Sequence, residues 1–301
     1  MVVVVGEALI DVVVGPEGES EEATGGSPLN VAVGLSRLEV PATLITQVGD
    51  DERGAKVLAH VTGSDVDVVA VPPRNGRTST AIARLDARGG ARYEFDLEWS
   101  LPRQELPPCL ALHVGSLGTA LDPGRASVLD LVEQAAARGI FISYDPNLRE
   151  PFVDDRERTW QEVRSIGARC TLVKLSDEDA DVLLPGSDPE EVARTLLAGS
   201  RTALVLLTRG ADGATAFVEG QEVSARPRQI DVVDTVGAGD AFMAATLAQL
   251  SDLDAFRSGP PTDARALERL VAGAVEVSAV TCERRGANPP RRQELPAGWP
   301  A

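Results

Sequence analysis

The chain has 301 residues, 43% hydrophobic and 25% charged, ordinary globular values that allow one large α/β domain or two small ones. Its 46 acidic residues against 29 basic ones give a net charge of −17, which argues against nucleic acid and anionic membrane surfaces, since both call for basic patches. Three scattered cysteines (Cys109, Cys170, Cys282) and two histidines (His60, His113) exclude a disulfide framework, a C-x-x-C zinc site and a multi-histidine metal centre, and suggest buried thiols in a reducing compartment.

The apolar opening, residues 2–5, reads as a buried first strand. The run is broken by Glu7 and Asp11 and lacks a basic n-region. Nowhere does the chain reach the ~18 consecutive apolar residues of a transmembrane helix, so a cytoplasmic location is expected. Residues 11–26 supply a further strand or two, and 29–38 carry a helical pattern. A strand at 42–47, a helix at 54–61 and a strand at 66–71 follow. Residues 78–97 alternate apolar and polar on both sides of "ARGGA", the pattern of a hairpin. Strands at 110–114, 140–144, 171–175 and 203–208 then alternate with helices at 124–138, 156–168 and 189–198. A second hairpin is expected within 213–227, helices at 238–250 and 263–280, and an irregular Pro-rich tail, "PPRRQELPAGWPA". No linker, repeat or low-complexity tract interrupts the chain. Continuous apolar strands alternating with helices predict an α/β fold: a doubly wound, mostly parallel sheet flanked by helices. The strands near 11–24 and 78–97 stand outside that alternation and read as a small β lid or a dimer surface.

Doubly wound sheets bind ligands at the carboxyl ends of their strands. The segments that follow the expected strands are polar and glycine-rich: "GEALID", "QVGDDERG", "HVGSLG", "YDPNLR", "KLSDED", "TRGADG" and "DTVGAGD". In "DTVGAGDAF", Gly237, Ala238 and Gly239 bare backbone N–H groups at a helix start, a place where an anion sits. Asp240 beside them is placed to take a proton from an attacking hydroxyl, although the same residues also fit a capped helix behind a tight turn. "TRGADG" cradles nucleotide phosphates or is simply a turn. It is neither a Walker A loop nor a dinucleotide fingerprint. The acids of "KLSDED" suit Mg²⁺ through water, or cap a helix through Ser176. Arg149 in "YDPNLR" offers a fork of donors to phosphate or carboxylate, or lies in a surface turn. Gly25, Gly26 and Asn30 in "ATGGSPLN" present backbone and amide groups to sugar hydroxyls, or serve helix packing.

Together these pieces resemble the ribokinase/PfkB family of carbohydrate kinases, over essentially the whole chain. "GGSPLNVAVGLSRLEVPATLITQVGDDERG" resembles its N-terminal signature and "DTVGAGDAF" its C-terminal one. "GEALID", "YDPNLR" and "YEFDLEWSLP" are most similar to the fructokinase branch, with 2-keto-3-deoxygluconate kinases close by. The resemblance implies a single kinase domain over 1–301 that transfers phosphate from ATP to the primary hydroxyl of a sugar, fructose above all. It implies Asp240 as catalytic base, Gly237, Ala238 and Gly239 as anion hole, and Asp11, Gly25, Gly26 and Asn30 as sugar contacts. Arg149 would lie near the phosphates or the sugar, Thr208, Gly210 and Gly213 in the nucleotide loop, and Asn288 beside the adenine. Mg²⁺ would be held through water near Asp179, and a monovalent cation such as potassium near Asp234 and the segment after Thr281. Hairpin 78–97 would be a lid strand pair and a homodimer surface.

The chain departs from the family pattern where N-x-x-E becomes Ser176-x-x-Asp179, one methylene shorter, and where Arg209 precedes the first glycine of "TRGADG". A 2-keto-3-deoxygluconate, ribose or nucleoside acceptor stays open. Arg84, Arg92 and Arg149 are at hand for a keto acid, whereas aromatics at 4% do not favour a nucleoside. A non-catalytic sugar or nucleotide sensor is the reading from another class. An NAD-dependent oxidoreductase is disfavoured, because "VVVVGEALID" has one glycine where a fingerprint needs three.

Overall fold

A computed structural model describes residues 1–85 and 91–299. In chain order the elements are β1 (Val2–Val5), β2 (Leu9–Val14), β3 (Ser20–Gly25), α1 (Ser27–Arg37), β4 (Ala42–Gln47), α2 (Glu52–Thr62), β5 (Asp67–Val71), β6 (Thr80–Leu85), β7 (Ala91–Asp96), β8 (Ala111–Gly115), α3 (Ser116–Ala120), α4 (Gly124–Ala137), β9 (Phe141–Asp145), α5 (Arg156–Gly167), β10 (Leu172–Ser176), α6 (Asp177–Leu183), α7 (Pro189–Leu197), β11 (Leu204–Thr208), β12 (Ala214–Val218), β13 (Gln221–Ala225), α8 (Ala238–Asp252), α9 (Ala255–Ser258) and α10 (Ala264–Cys282). The seven expected strands of the main sheet are all present. Five of them, β5 and β8 to β11, begin one residue later than expected, and β8, β9 and β10 also end one residue later. The shift makes Gly115, Asp145 and Ser176 the last residues of their strands. Hairpin 78–97 is present as the antiparallel pair β6–β7, its tip at 86–90 lying outside the described residues.

Nine strands form one sheet in the order β13-β12-β11-β10-β9-β8-β1-β4-β5, parallel except at the β11–β12 and β12–β13 pairings. The central strands β1, β8 and β9 are buried along their whole length, as the Val- and Ile-rich runs require of a sheet covered on both faces. The two faces have separate cores. One gathers Val2, Val4, Leu29, Leu35, Leu44 and Phe242 with α1, α8 and α10. The other gathers Val3, Val5, Leu112, Leu131, Ile142 and Val173 with α4, α5 and α7. Helix α8 is buried almost all round, the state expected of a helix with no polar stripe. It is held between α1 and α10, and the backbone of α1 comes so close at Gly34 that a Cβ there would stand 2.7 Å from Ala244 Cβ.

Strands β3, β2, β6 and β7 form a second sheet in that order. Its register places Asp11, Val13, Ala81, Ala83 and Phe95 on one face. Ile10 and Val12, on the other face, are buried in the core that contains α1. Among the described residues no helix is long and apolar enough to cross a membrane, and the three cysteines are free.

Candidate active site

The strand order gathers Thr208, Ser176, Asp145, Gly115 and Gly6 along the carboxyl edge of the main sheet, with Ser176 two residues beyond the level of Asp145. Helix α8 begins beside this edge. Gly237 is its N-cap with φ +75°, a left-handed conformation that glycine adopts without strain. A Cβ on it would lie 2.6 Å from Ala287 Cβ, so the close approach of the 286–288 segment also requires glycine here. Ala238 and Gly239 follow as the first helical residues, where the helix dipole is positive; the Ala238 N–H donates to the Thr235 carbonyl at 3.2 Å, and the Gly239 N–H lacks an intrahelical partner.

Asp240 is buried at 7% exposure, in the first turn of α8. It caps nothing in its own helix. Its carboxylate accepts hydrogen bonds from Ser27 Oγ at 2.6 Å and from Asn30 Nδ2 at 2.8 Å, both on the first turn of α1. The two donors fix the plane of the carboxylate while the backbone of α8 fixes its position.

Residues 25 and 26 lead into α1. A Cβ on Gly25 would stand 2.0 Å from Asp11 Oδ2, and one on Gly26 would stand 2.5 Å from the Glu7 carbonyl oxygen, at φ +110°. Gly26 is therefore demanded by backbone contact and by its φ, and Gly25 makes room for the Asp11 carboxylate at the start of α1. Burial raises the Asp11 pKa and the nearby Asp240 charge adds to this, while Arg149 opposes it. Arg149 is exposed and has no ion-pair partner among the described residues. Phe152, three residues on, stacks edge-on against Phe95 of β7 with ring centroids 5.1 Å apart, so this turn touches the second sheet.

On the far side of the edge, Gly210 has φ +46° with open space around it, and a Cβ on Gly213 would stand 2.0 Å from the Ala225 carbonyl oxygen. Thr208 ends β11 directly opposite Ser176. A base-like carboxylate, a cleared helix N-terminus and a glycine turn thus converge at one sheet edge.

The chain matches the pfkB family carbohydrate kinase profile over residues 1–294. It belongs to the pfkB family of carbohydrate kinases. It is 33% identical to a fructokinase of Rhizobium leguminosarum bv. trifolii, covering 86% of each chain. It is 30% identical to a fructokinase of Escherichia coli, covering 97% of each. Among solved structures it superposes on a fructokinase of Vibrio cholerae O395, described with fructose, ADP and a calcium ion bound, with a TM-score of 0.80, 26% identity and coverage of 95% and 94%.

Two residues of this pfkB kinase carry a feature that the motif windows contain but that was not assigned from sequence. Lys174, on β10, donates to Asp145 Oδ2, at the end of β9, at 2.8 Å, with side chains only 5% and 1% exposed. The amine lies 3.4 Å from where a Cβ of Gly239 would be, which puts a cation against the start of α8. Burial disfavours the Lys174 charge, but the carboxylates of Asp145, Asp179 and Asp240 outweigh it and raise its pKa. Burial pushes Asp145 up to about 6, Asp179 and Asp240 adding repulsion and Lys174 opposing. Below the pair, burial and the Lys174 charge push His113 down to about 3, leaving it neutral against Ser143 Oγ at 3.0 Å. The available signal was a lysine inside the apolar run "TLVKLS", since a charge buried on a strand requires a partner.

Glu7 was also unassigned. Burial pushes it up to about 7, against hydrogen bonds with Ser116 and the Gly118 N–H.

The remaining expected residues are all placed, with their hydrogen bonds distributed as follows. Asp179 Oδ1 accepts from Leu148 N at 2.7 Å, and Oδ2 from Ser176 N at 3.0 Å and Ser176 Oγ at 2.6 Å, completing a capping box. One lone-pair site is left for a metal-bound water. Asp234 accepts from Val236 N at 3.0 Å and Gly286 N at 2.8 Å. Asn288 Oδ1 accepts from Arg37. Arg209, which precedes the 210–213 turn, donates to Glu190 at 2.8 Å and to Thr215 Oγ1 at 2.7 Å.

Proposed function

We propose that this kinase transfers the γ-phosphoryl group of ATP to the primary hydroxyl of fructose, yielding fructose 6-phosphate. The observation that carries the reading is Asp240, held by Ser27 and Asn30 beside the open first turn of α8. The fructokinase relatives supply the acceptor.

The sugar lies between the main sheet edge and the second sheet, held by Asp11, the Gly25–Gly26 backbone and Asn30, with Arg149 nearby. Asp240 takes the proton of the primary hydroxyl as its oxygen bonds to the γ-phosphorus and the bond to the β–γ bridging oxygen breaks. The N–H groups of Gly237 and Gly239 and the Lys174 amine face the charge that develops on the transferring group, and the Ala238 N–H joins them when it leaves the Thr235 carbonyl. Asp145 is the counter-ion that keeps Lys174 charged and aimed. Thr208, Gly210 and Gly213 hold the nucleotide phosphates, and Asn288 lies toward the base.

Among the described residues no three acidic, histidine or cysteine side chains gather to cage a metal. Asp145 Oδ1, however, is buried with no partner, and Asp179 keeps a free lone pair. This donor set fits Mg²⁺ held mainly by the nucleotide phosphates, with these carboxylates bonding its waters. When bound, the ion supplies positive charge to the β- and γ-phosphate oxygens. Asp234 and the segment after Thr281 are proposed to hold a monovalent cation.

In this reading the chain acts as one kinase domain, the second sheet is its lid, and lid closure excludes water from the phosphoryl group. Two copies would pair through the face that carries Val13 and Phe95, which are 42% and 36% exposed. ADP release with Mg²⁺·ATP across fructose, 2-keto-3-deoxygluconate, ribose, tagatose, glucose and adenosine tests the acceptor. Selective turnover of fructose is expected. Selective turnover of another sugar would overturn the acceptor, and no turnover with ATP bound would overturn catalysis in favour of a sensor.

A further inference from the structure

Helix α1 touches the site at both ends. Its first turn holds Asp240 through Ser27 and Asn30. Its last residue, Arg37, reaches the segment that follows α10. There a single nitrogen, Nη1, donates to Asn288 Oδ1 at 2.6 Å and to the Pro289 carbonyl at 2.7 Å. Pro289 also lies close to Gly34, one turn before Arg37.

The segment held in this way is the wall of the N-terminus of α8. Ala287 lies directly against Gly237. Gly286 N donates to Asp234 at 2.8 Å, and Asp234 in turn shapes the turn before Gly237 by accepting from Val236 N. Apart from these contacts, the segment is tied by short-range bonds such as Asn288 N to the Gly286 carbonyl at 2.7 Å. Two side chains distant in sequence thus anchor the 286–289 loop, Asp234 at Gly286 and Arg37 at Asn288 and Pro289, and the loop backs the first turn of α8.

Arg37 occupies this place against the local electrostatics. Its Nε is buried without a partner. Burial lowers its pKa, and the like charges of Arg291 and Arg284 lower it further, with only Glu294 opposing. An arginine that leaves a donor unsatisfied among other arginines is poorly explained as a stabilising surface residue. We propose that Arg37 is a positioning residue for the nucleotide side of the active site: by clamping Asn288 and Pro289 it holds the 286–289 loop against Gly237, and so sets the affinity for ATP without touching the sugar.

This inference rests on the kinase reading, and two measurements separate the two. Because one nitrogen makes both hydrogen bonds, a lysine amine can replace it, whereas a methionine cannot. Hydrogen exchange on the apo protein reads the clamp with no ligand present. Arg37→Met is expected to raise amide exchange at Gly286 and Asn288 by about tenfold, and Arg37→Lys to restore most of the protection. In steady-state kinetics and ADP calorimetry, Arg37→Met is expected to raise the KM for ATP and the Kd for ADP by about tenfold, with the KM for fructose within twofold of wild type. Unchanged exchange in Arg37→Met overturns the clamp. Looser exchange with unchanged ADP affinity, or with an equal rise in both KM values, overturns the nucleotide-side role. A wild-type protein that binds no ADP overturns the kinase reading itself, whatever the exchange shows.

Discussion

The proposed sugar side and the proposed nucleotide side of this site are built from different materials. Where the sugar and the transferring group are proposed to meet, Asp240 and Lys174 are buried and each is held by a partner distant in sequence, Asp240 by Ser27 and Asn30 and Lys174 by Asp145. On the proposed nucleotide side the groups offered are backbone, at the turns 208–213 and 234–239, and the charge nearby is paired away, as Arg209 is by Glu190. Groups that perform chemistry need defined charge and direction, which low dielectric and fixed partners provide. Groups that hold a phosphate chain need only N–H directions, which a short turn sets by itself.

The sharpest way to break this contrast is Asp240→Asn, isosteric and still able to bond Ser27 and Asn30. It is expected to lower kcat by ~10²-fold or more with ADP affinity retained, measured by coupled assay and calorimetry. Turnover near wild type would remove Asp240 from the role of base. Next is Lys174→Met, expected to lower kcat by ~10²-fold through loss of charge at the transferring group. Alone it strands the Asp145 carboxylate in the interior and destabilises the fold. The double variant Lys174→Met/Asp145→Asn removes both charges, so thermal unfolding should recover while kcat stays low. If kcat recovers with stability, the pair is structural.

Glu7→Gln tests the buried side through pH. The folded Glu7 pKa of about 7 lies above its ordinary 4.5, so between those values the native chain binds a proton that the unfolded chain has released. Wild-type stability from this group therefore falls as pH rises through that window and is flat above it. The substitution keeps an acceptor for Gly118 N and removes the penalty. It is expected to gain up to about 3 kcal/mol over wild type at pH 8 and little at pH 4, read from urea unfolding. An equal effect at both pH values would show that folding does not raise the Glu7 pKa. The smallest effect belongs to the nucleotide turn. Gly210→Ala meets no atom and costs only the left-handed backbone, about 1 kcal/mol. A modest rise in the KM for ATP with kcat intact is expected, and a collapse of kcat would show that this turn carries more than phosphate binding.

Much of this architecture is legible in the amino-acid order, because it rests on local rules. Runs such as "VVVV" and "LVLLT" are strands under any topology, "GAGD" must open a helix behind a left-handed glycine, and the alternation around 78–97 must form a hairpin. Short helix α3 carries no signal in "GSLGTA", since it opens at Ser116 with φ +49° and has little periodicity to detect. For α6, the capping box of Ser176 and Asp179 is formed as one of the two readings of "KLSDED" anticipated. It takes up most of the lone pairs that the metal reading needs.

What the sequence by itself determined is therefore the inventory: the strands, the turns, the acid behind the glycines and the family. The partnerships were decided by the tertiary structure alone. Placing β1 between β8 and β4, and α1 against α8, brings Asn30 to Asp240 across 210 residues of chain. The same order sets Lys174 against Asp145 and carries Arg37 to Asn288. The reason is physical. Backbone conformation answers to near neighbours, whereas the charge state and direction of a buried side chain answer to whatever the completed sheet and its covering helices place within a few ångströms of it.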